Sequence, residues 1–290
     1  MKPHHYGPFE YSAIIDRPPL KWPNGANVAL WVAPNIEYFH LTAKYAGSAH
    51  VPNVPAWAER DYGNRVAVFR MMEVFDRYGV RATVCLNSDI CKYHPRIIEE
   101  GMKRKWEWMG HNTSNSLRPA ELPKDEQRAM IRDCLETIAK STGARPKGWL
   151  GPGLQESWDT LDILADEGIE YVCDWCNDDQ PYEMTLEDGR KMLAVQYAHE
   201  LNDIPAFVRQ NRTPEEFGDM ITRTFDVLYR EAERSGSGRV MAIALHPYLT
   251  GLPHRIDALD RALEYICKHD KVWRTIGSEI TQAFRAQQSR

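Results

Sequence analysis

Asn27-Val28-Ala29-Leu30-Trp31-Val32-Ala33, running on into Pro34-Asn35-Ile36-Glu37-Tyr38-Phe39-His40, is the stretch on which the fold turns. After Asn27 the run is apolar without alternation. That describes a strand covered on both faces, as in a parallel sheet packed between helices. An acid, Glu37, stands just past its end. Two later stretches share the plan. In Trp106-Glu107-Trp108-Met109-Gly110-His111-Asn112-Thr113-Ser114-Asn115-Ser116 a short apolar run delivers His111 into small polar residues. In Ala242-Ile243-Ala244-Leu245-His246-Pro247-Tyr248-Leu249-Thr250-Gly251 another run delivers His246. Parallel α/β folds place their chemistry on loops outside the carboxyl ends of strands. Glu37, His111 and His246 therefore make a candidate site. Each residue also has a plain structural reading: Glu37 as the ion partner of Arg65 or Arg70, His111 as a surface histidine, His246 as a core histidine bonded to a backbone carbonyl.

Around these stretches strand and helix alternate about seven times. A helix is expected from Gly63 to Gly79, with Val66, Phe69, Met72 and Phe75 at helical spacing and Gly79 as its cap. Further helices are expected near 94–104, 123–141, 157–167, 214–234, 254–269 and from Ser278. Strands are expected at 81–86, 147–151, 169–173, 191–195, 240–245 and 272–276. The polar exit Asn177-Asp178-Asp179-Gln180-Pro181-Tyr182 is read as leaving the sheet. Residues 40–61 read as a long connection with two prolines, the kind that serves as a functional loop or lid. Residues 1–26, rich in Pro, Gly and aromatics, are expected to wrap the surface of a single domain over 27–290. The alternation calls for a parallel sheet with helices outside it, and that many strands favour a barrel.

The chain has 290 residues, 43% of them hydrophobic, enough for a large core. Its 36 basic and 41 acidic residues leave a net charge of −5 without basic runs, so no nucleic-acid or membrane partner is expected. The N-terminal residues lack the apolar stretch of a signal peptide, and a cytoplasmic location follows as an expectation. Cys85, Cys91, Cys134, Cys173, Cys176 and Cys267 read as reduced thiols. The Cys173-Asp174-Trp175-Cys176 spacing has no second pair for zinc and opens no helix.

Taken in order, the strand-end motifs make the chain similar to the polysaccharide deacetylase superfamily, the NodB-homology fold, over about residues 27–280. The resemblance is nearest to the branch of allantoinases and cyclic imide hydrolases. It is carried there by Tyr62-Gly63-Asn64-Arg65, Gly148-Trp149-Leu150-Gly151-Pro152, the 177–182 stretch, and His246-Pro247-Tyr248-Leu249-Thr250-Gly251-Leu252-Pro253-His254-Arg255. It implies a distorted (β/α)7-type barrel, hydrolysis of a carbon–nitrogen bond that is not a peptide bond, and a homo-oligomer.

The departures matter as much. Metal-dependent relatives carry two adjacent acids after the first strand and a His-x-x-x-His pair. Here Tyr38 replaces the ligand acid, Asn115 the second histidine, and Leu150 an arginine often found before the Pro-Gly loop. Of the expected ligands only His111 remains. A histidine, an amide and a phenol hold a divalent ion poorly. The expectation is therefore a metal-free site, with zinc or another divalent metal as the alternative.

On that reading Glu37 is the general base, its pKa raised by burial, and His246 the general acid. His111 and Asn115 would donate to carbonyl or oxyanion. Tyr38, Trp149, Trp175 and Tyr248 would wall a flat ring, and Asp178 or Asp179 would receive its N–H groups. The expected substrate is a small cyclic imide or ureide. The competing functions are a metal-dependent N-acetyl-sugar deacetylase and a non-catalytic relative that binds a small ligand.

Overall fold

The computed structural model describes residues 6–44 and 50–288. The first strand is β1 (Val28–Ile36), and all nine of its residues are buried. After the connection come α1 (Val54–Tyr62), α2 (Val68–Arg77), β2 (Thr83–Leu86), α3 (Asp89–Tyr93), α4 (Pro95–Lys103) and β3 (Glu107–Gly110). Next are α5 (Lys124–Thr142), β4 (Gly148–Trp149), α6 (Thr160–Asp166), β5 (Tyr171–Val172), β6 (Tyr182–Thr185) and β7 (Lys191–Ala194). The rest is α7 (Pro214–Ser235), β8 (Arg239–Leu245), α8 (Pro247–Thr250), α9 (Ile256–Cys267), β9 (Val272–Arg274) and α10 (Gly277–Gln288).

The strands form one curled sheet in the order β6-β7-β5-β4-β3-β2-β1-β8, parallel except for the β6–β7 pair. β9 pairs with the lower half of β1, opposite Val28, Ala29 and Leu30, while β2 takes the upper end at Asn35 and Ile36. Helices pack outside on amphipathic faces. In α2 the buried set is Val68, Met71, Met72, Val74 and Phe75. α7 begins with a capping box, Thr213 and Glu216 each bonding the other's backbone N–H, and ends at Gly236 in the left-handed region.

The barrel expectation holds in a curled, incompletely closed form. Among the described residues no strand pairing joins β8 to β6 or β7. That gap is crossed instead by an isolated bridge between Asn202 and Ala244 and by Val240 N–H donating to the Asp179 carbonyl. The N-terminal residues cross the same side of the sheet. Thr185 N–H donates to the Pro8 carbonyl, Arg17 pairs with Asp178, and Trp22 Nε1 donates to the Arg239 carbonyl.

Three expectations are corrected. Residues 40–61 are not all loop, because α1 occupies 54–62, its first turn capped by the Asn53 side chain and carrying Pro55. The helix expected over Gly63 to Gly79 is present as α2 over Val68–Arg77, but its first residues, Gly63–Ala67, form a π-helical turn that joins α1 to α2. The chain does return to the sheet after Pro181, as β6, an edge strand where a preceding proline costs no ladder bond. The expectations for residues 1–5 and 45–49 lie outside the described residues.

Candidate active site

Glu37 follows β1, His111 follows β3 and His246 follows β8, so the parallel register carries all three to one end of the sheet. All three are buried, with 6% or less of their surface exposed. His111 Nε2 stands 3.5 Å and His246 Nε2 3.6 Å from the same oxygen, Glu37 Oε1, and Asn115 Nδ2 donates to that oxygen too. The ion-partner reading of Glu37 does not hold: Arg65 pairs with Asp61, and Arg70 donates to the Gly251 carbonyl.

Each member is held from behind. Asn64 Nδ2 donates to the Glu37 carbonyl at 2.8 Å, and Asn87 receives Tyr38 N–H while donating to Asn115 Oδ1. His111 Nδ1 is 2.7 Å from the Leu150 carbonyl, which leaves Nε2 to face Glu37. Behind His246 stands Asp203, fully buried. Its carboxylate takes His246 Nδ1 at 2.6 Å, the His246 backbone N–H at 2.7 Å and the Thr250 hydroxyl at 2.6 Å. The residue reading missed Asp203, which lies in Leu201-Asn202-Asp203-Ile204-Pro205, outside any periodic segment. Its one local sign is a strong N-cap type before a proline.

The electrostatics correct the expected raised pKa of Glu37. Burial pushes the carboxyl up, but the His246 charge and hydrogen bonds from His111 and His246 outweigh it and bring it down to about 2. Burial pushes His246 down, yet Asp203 and then Glu37 hold it up to about 10. The resting pair is therefore carboxylate and imidazolium.

The expected ring wall is only partly assembled. Tyr38 stacks on Tyr93 at 4.7 Å and lines the space beside Glu37 together with Phe39, Trp57 and Arg60. Tyr248 packs against the His246 ring at 5.6 Å, with the Arg60 guanidinium over it. Trp149 is instead a core residue under Gly110, where a Cβ would come within 2.7 Å of its ring. Trp175 sits beyond the Glu37 space, against a separate cavity of about 420 Å³, and donates to Glu156. Glu156 and Asp174 lie together there. Burial raises both, Asp174 to about 6 although the Gly151 N–H pulls it back. Asp179 is not at the site, and neither is Asp178, which is bound to Arg17.

The donor set does not fit a divalent ion. Tyr38 stays a phenol, its pKa raised by burial, and Asn115 spends both amide atoms, one on Glu37 and one on Asn87. Among the described residues no group of three His, Cys, Asp or Glu side chains is placed to hold a metal.

The curled parallel sheet carries an acid and two histidines on its strand ends. Residues 59–172 match the polysaccharide deacetylase family. The chain is 25% identical to a Schizosaccharomyces pombe protein provisionally named a polysaccharide deacetylase, over 91% of this chain and 92% of that one. It is 22% identical to a peptidoglycan deacetylase of Helicobacter pylori, over 77% and 85%. The crystal structure of PuuE allantoinase superposes with a TM-score of 0.85 at 24% identity, covering 95% of this chain and 96% of that one, which shows the shared fold. No helix among the described residues is long and apolar enough to cross a membrane.

Proposed function

We propose that this protein hydrolyses non-peptide carbon–nitrogen bonds, and that its substrate is a small cyclic imide or ureide. One observation carries the reading: Glu37 and His246 face each other at 3.6 Å, with Asp203 fixing the far side of the imidazole. That is a base and an acid placed side by side, both able to reach one substrate.

The contacts to Glu37 Oε1 from the two histidines are long for hydrogen bonds, so that oxygen can take a water proton. The water oxygen attacks a ring carbonyl carbon while its proton passes to Glu37. The Asn115 amide donates to the oxygen that gains charge, while His111, its Nδ1–H held by the Leu150 carbonyl, turns Nε2 towards Glu37 and the water. The tetrahedral carbon then collapses, the ring C–N bond breaks, and His246 Nε2 gives its proton to the leaving nitrogen. Once His246 is neutral, Glu37 loses the cation that suppressed it and its proton returns along the same pair. An imide suits this machinery, because its second carbonyl stabilises the departing nitrogen without a Lewis acid.

The family match supports a second reading, deacetylation of an N-acetyl sugar, and one assay separates the two. Protein treated with chelator is offered succinimide, hydantoin, dihydrouracil, allantoin and an N-acetylglucosamine oligomer, with and without added zinc. The expected result is ring opening that survives the chelator and falls about 10³-fold in Glu37→Gln, within the usual range for acid–base catalysis. Turnover of the sugar alone, or only after zinc is restored, overturns the proposal.

A further inference from the structure

The peptide between Leu150 and Gly151 stands between two side chains that ionise. Its carbonyl oxygen lies 2.7 Å from His111 Nδ1, and its N–H donates at 2.7 Å to Asp174 Oδ1. The C=O and N–H of a trans peptide point in opposite directions, so His111 and Asp174 occupy opposite sides of one planar group. A carbonyl can only accept, which puts a proton on His111 Nδ1. Asp174 therefore stands behind His111 as Asp203 stands behind His246, with a peptide in place of direct contact. Gly151 lets the carboxylate lie this close. A Cβ there would stand 3.2 and 3.3 Å from the two Asp174 oxygens and 2.7 Å from the Gln155 carbonyl oxygen.

Asp174 has a partner of its own. Asp174 Oδ2 and Glu156 Oε2 are both shut off from solvent, and neither meets an N–H or hydroxyl donor. The two carboxyls bond to each other instead. Carboxyl oxygens in contact need a proton between them, because two anions would repel. Glu156 holds that proton. Burial, and then the Asp174 charge, push its carboxyl well above the usual range, and its other oxygen accepts Trp175 Nε1–H at 3.2 Å. Burial lifts Asp174 as well, but the Gly151 N–H and the Glu156 proton both favour its anion.

An anion at the N–H end of a peptide makes the oxygen at the other end a stronger acceptor, since hydrogen bonds in a chain polarise one another. We propose that Asp174 is a positioning residue for His111, acting through the Leu150–Gly151 peptide, and that Glu156 keeps Asp174 charged by donating its proton to it. The His111 proton is thereby pinned on Nδ1, and Nε2 is left to meet Glu37 and the water. The effect on turnover rests on the hydrolytic reading above, whereas the link from Asp174 to His111 does not.

The test reads the His111 ring by nitrogen and proton NMR on the full chain with isotope-labelled histidine, at mildly alkaline pH. Its signals are those missing from His111→Gln. In the wild-type protein the expected result is a proton on Nδ1 with a low-field resonance. Asp174→Asn can still accept the Gly151 N–H, but without charge. The resonance should then move upfield, and kcat should fall about tenfold with little change in KM, as for an interaction felt in the transition state. Glu156→Gln still has a donor for Asp174 and should keep the wild-type resonance, while Glu156→Leu should shift it as Asp174→Asn does. A wild-type ring with Nδ1 bare, an unmoved resonance in folded Asp174→Asn, or equal behaviour of the two Glu156 variants overturns the proposal. Should Asp174→Asn not fold, the wild-type ring and the Glu156 pair decide. Wild-type protein that opens no cyclic amide would sink the hydrolytic reading alone, and the spectra would still decide this one.

Discussion

One amide donor and two imidazole nitrogens crowd a single oxygen of Glu37, and each prediction at the residue scale follows from that crowding. With the carboxyl near 2 and His246 near 10, base and acid are both correctly charged across neutral pH. The expected profile of kcat/KM is flat there, falling in acid as Glu37 takes a proton and in alkali as His246 loses one. Glu37→Gln removes the anion that helps hold His246 up, so an NMR titration of that imidazole should move to lower pH in the variant. Stability follows the same signs. The Glu37 contribution is whole above about 4.5 and lost as pH falls towards about 2, while that of His246 is whole below about 6.5 and lost as pH climbs towards about 10. Asp203→Asn keeps the shape but takes away the charge that fixes the His246 proton on Nδ1. A loss of 10²- to 10⁴-fold in kcat is expected, larger than any change in KM. A mutant with unchanged kcat would remove Asp203 from the mechanism.

At the scale of elements, α1 and the π-helical turn wall the space beside Glu37, and Gly63 lets the turn approach Tyr248. A Cβ there would lie 2.8 Å from the Tyr248 backbone nitrogen and 2.9 Å from its Cβ. Gly63→Ala should cost about 1–3 kcal/mol in denaturant unfolding, the usual range for overpacking, and raise KM by shifting the Tyr248 wall. The strands were legible because buried parallel strands announce themselves as unbroken apolar runs, and Glu37, His111 and His246 sit where such runs end. α1 was not legible. None of its residues is buried, so it has no apolar face to read, and Pro52 and Pro55 at its start suggested a loop. The 177–182 stretch misled in the other direction. Its acids look like a site in sequence, but β5 ends at Val172, so by Asp178 and Asp179 the chain has travelled from the mouth to the gap beside β8. Trp149 misled because an aromatic beside a Pro-Gly loop looks the same in sequence whether it lines a mouth or fills a core.

For the whole molecule, the room at the active site decides what can enter. The space between Glu37 and α1 is about 10 Å³, enough for roughly one water and no ring. Entry on the α1 side is expected to move that helix, so hydrogen exchange over residues 54–62 should be faster than over α2 and should slow when a non-hydrolysable imide analogue binds. A rigid α1 with unaltered exchange would contradict this. The same closure should make activity fall steeply with ring size, a trend a series of N-substituted succinimides can measure.

The neighbours of β1 set the order in which the site can be assembled. The first strand pairs along nearly its whole length with β8, Trp31 against Ala242, and its lower half with β9. During synthesis Glu37 leaves the ribosome early and waits for most of the remaining chain before His246 exists to meet it. Such distant pairing gives a high contact order and slow folding, during which the exposed edge of β1 is open to wrong partners. Catalytic competence should then appear only in the final folding phase, and never in a nascent chain that stops short of β8.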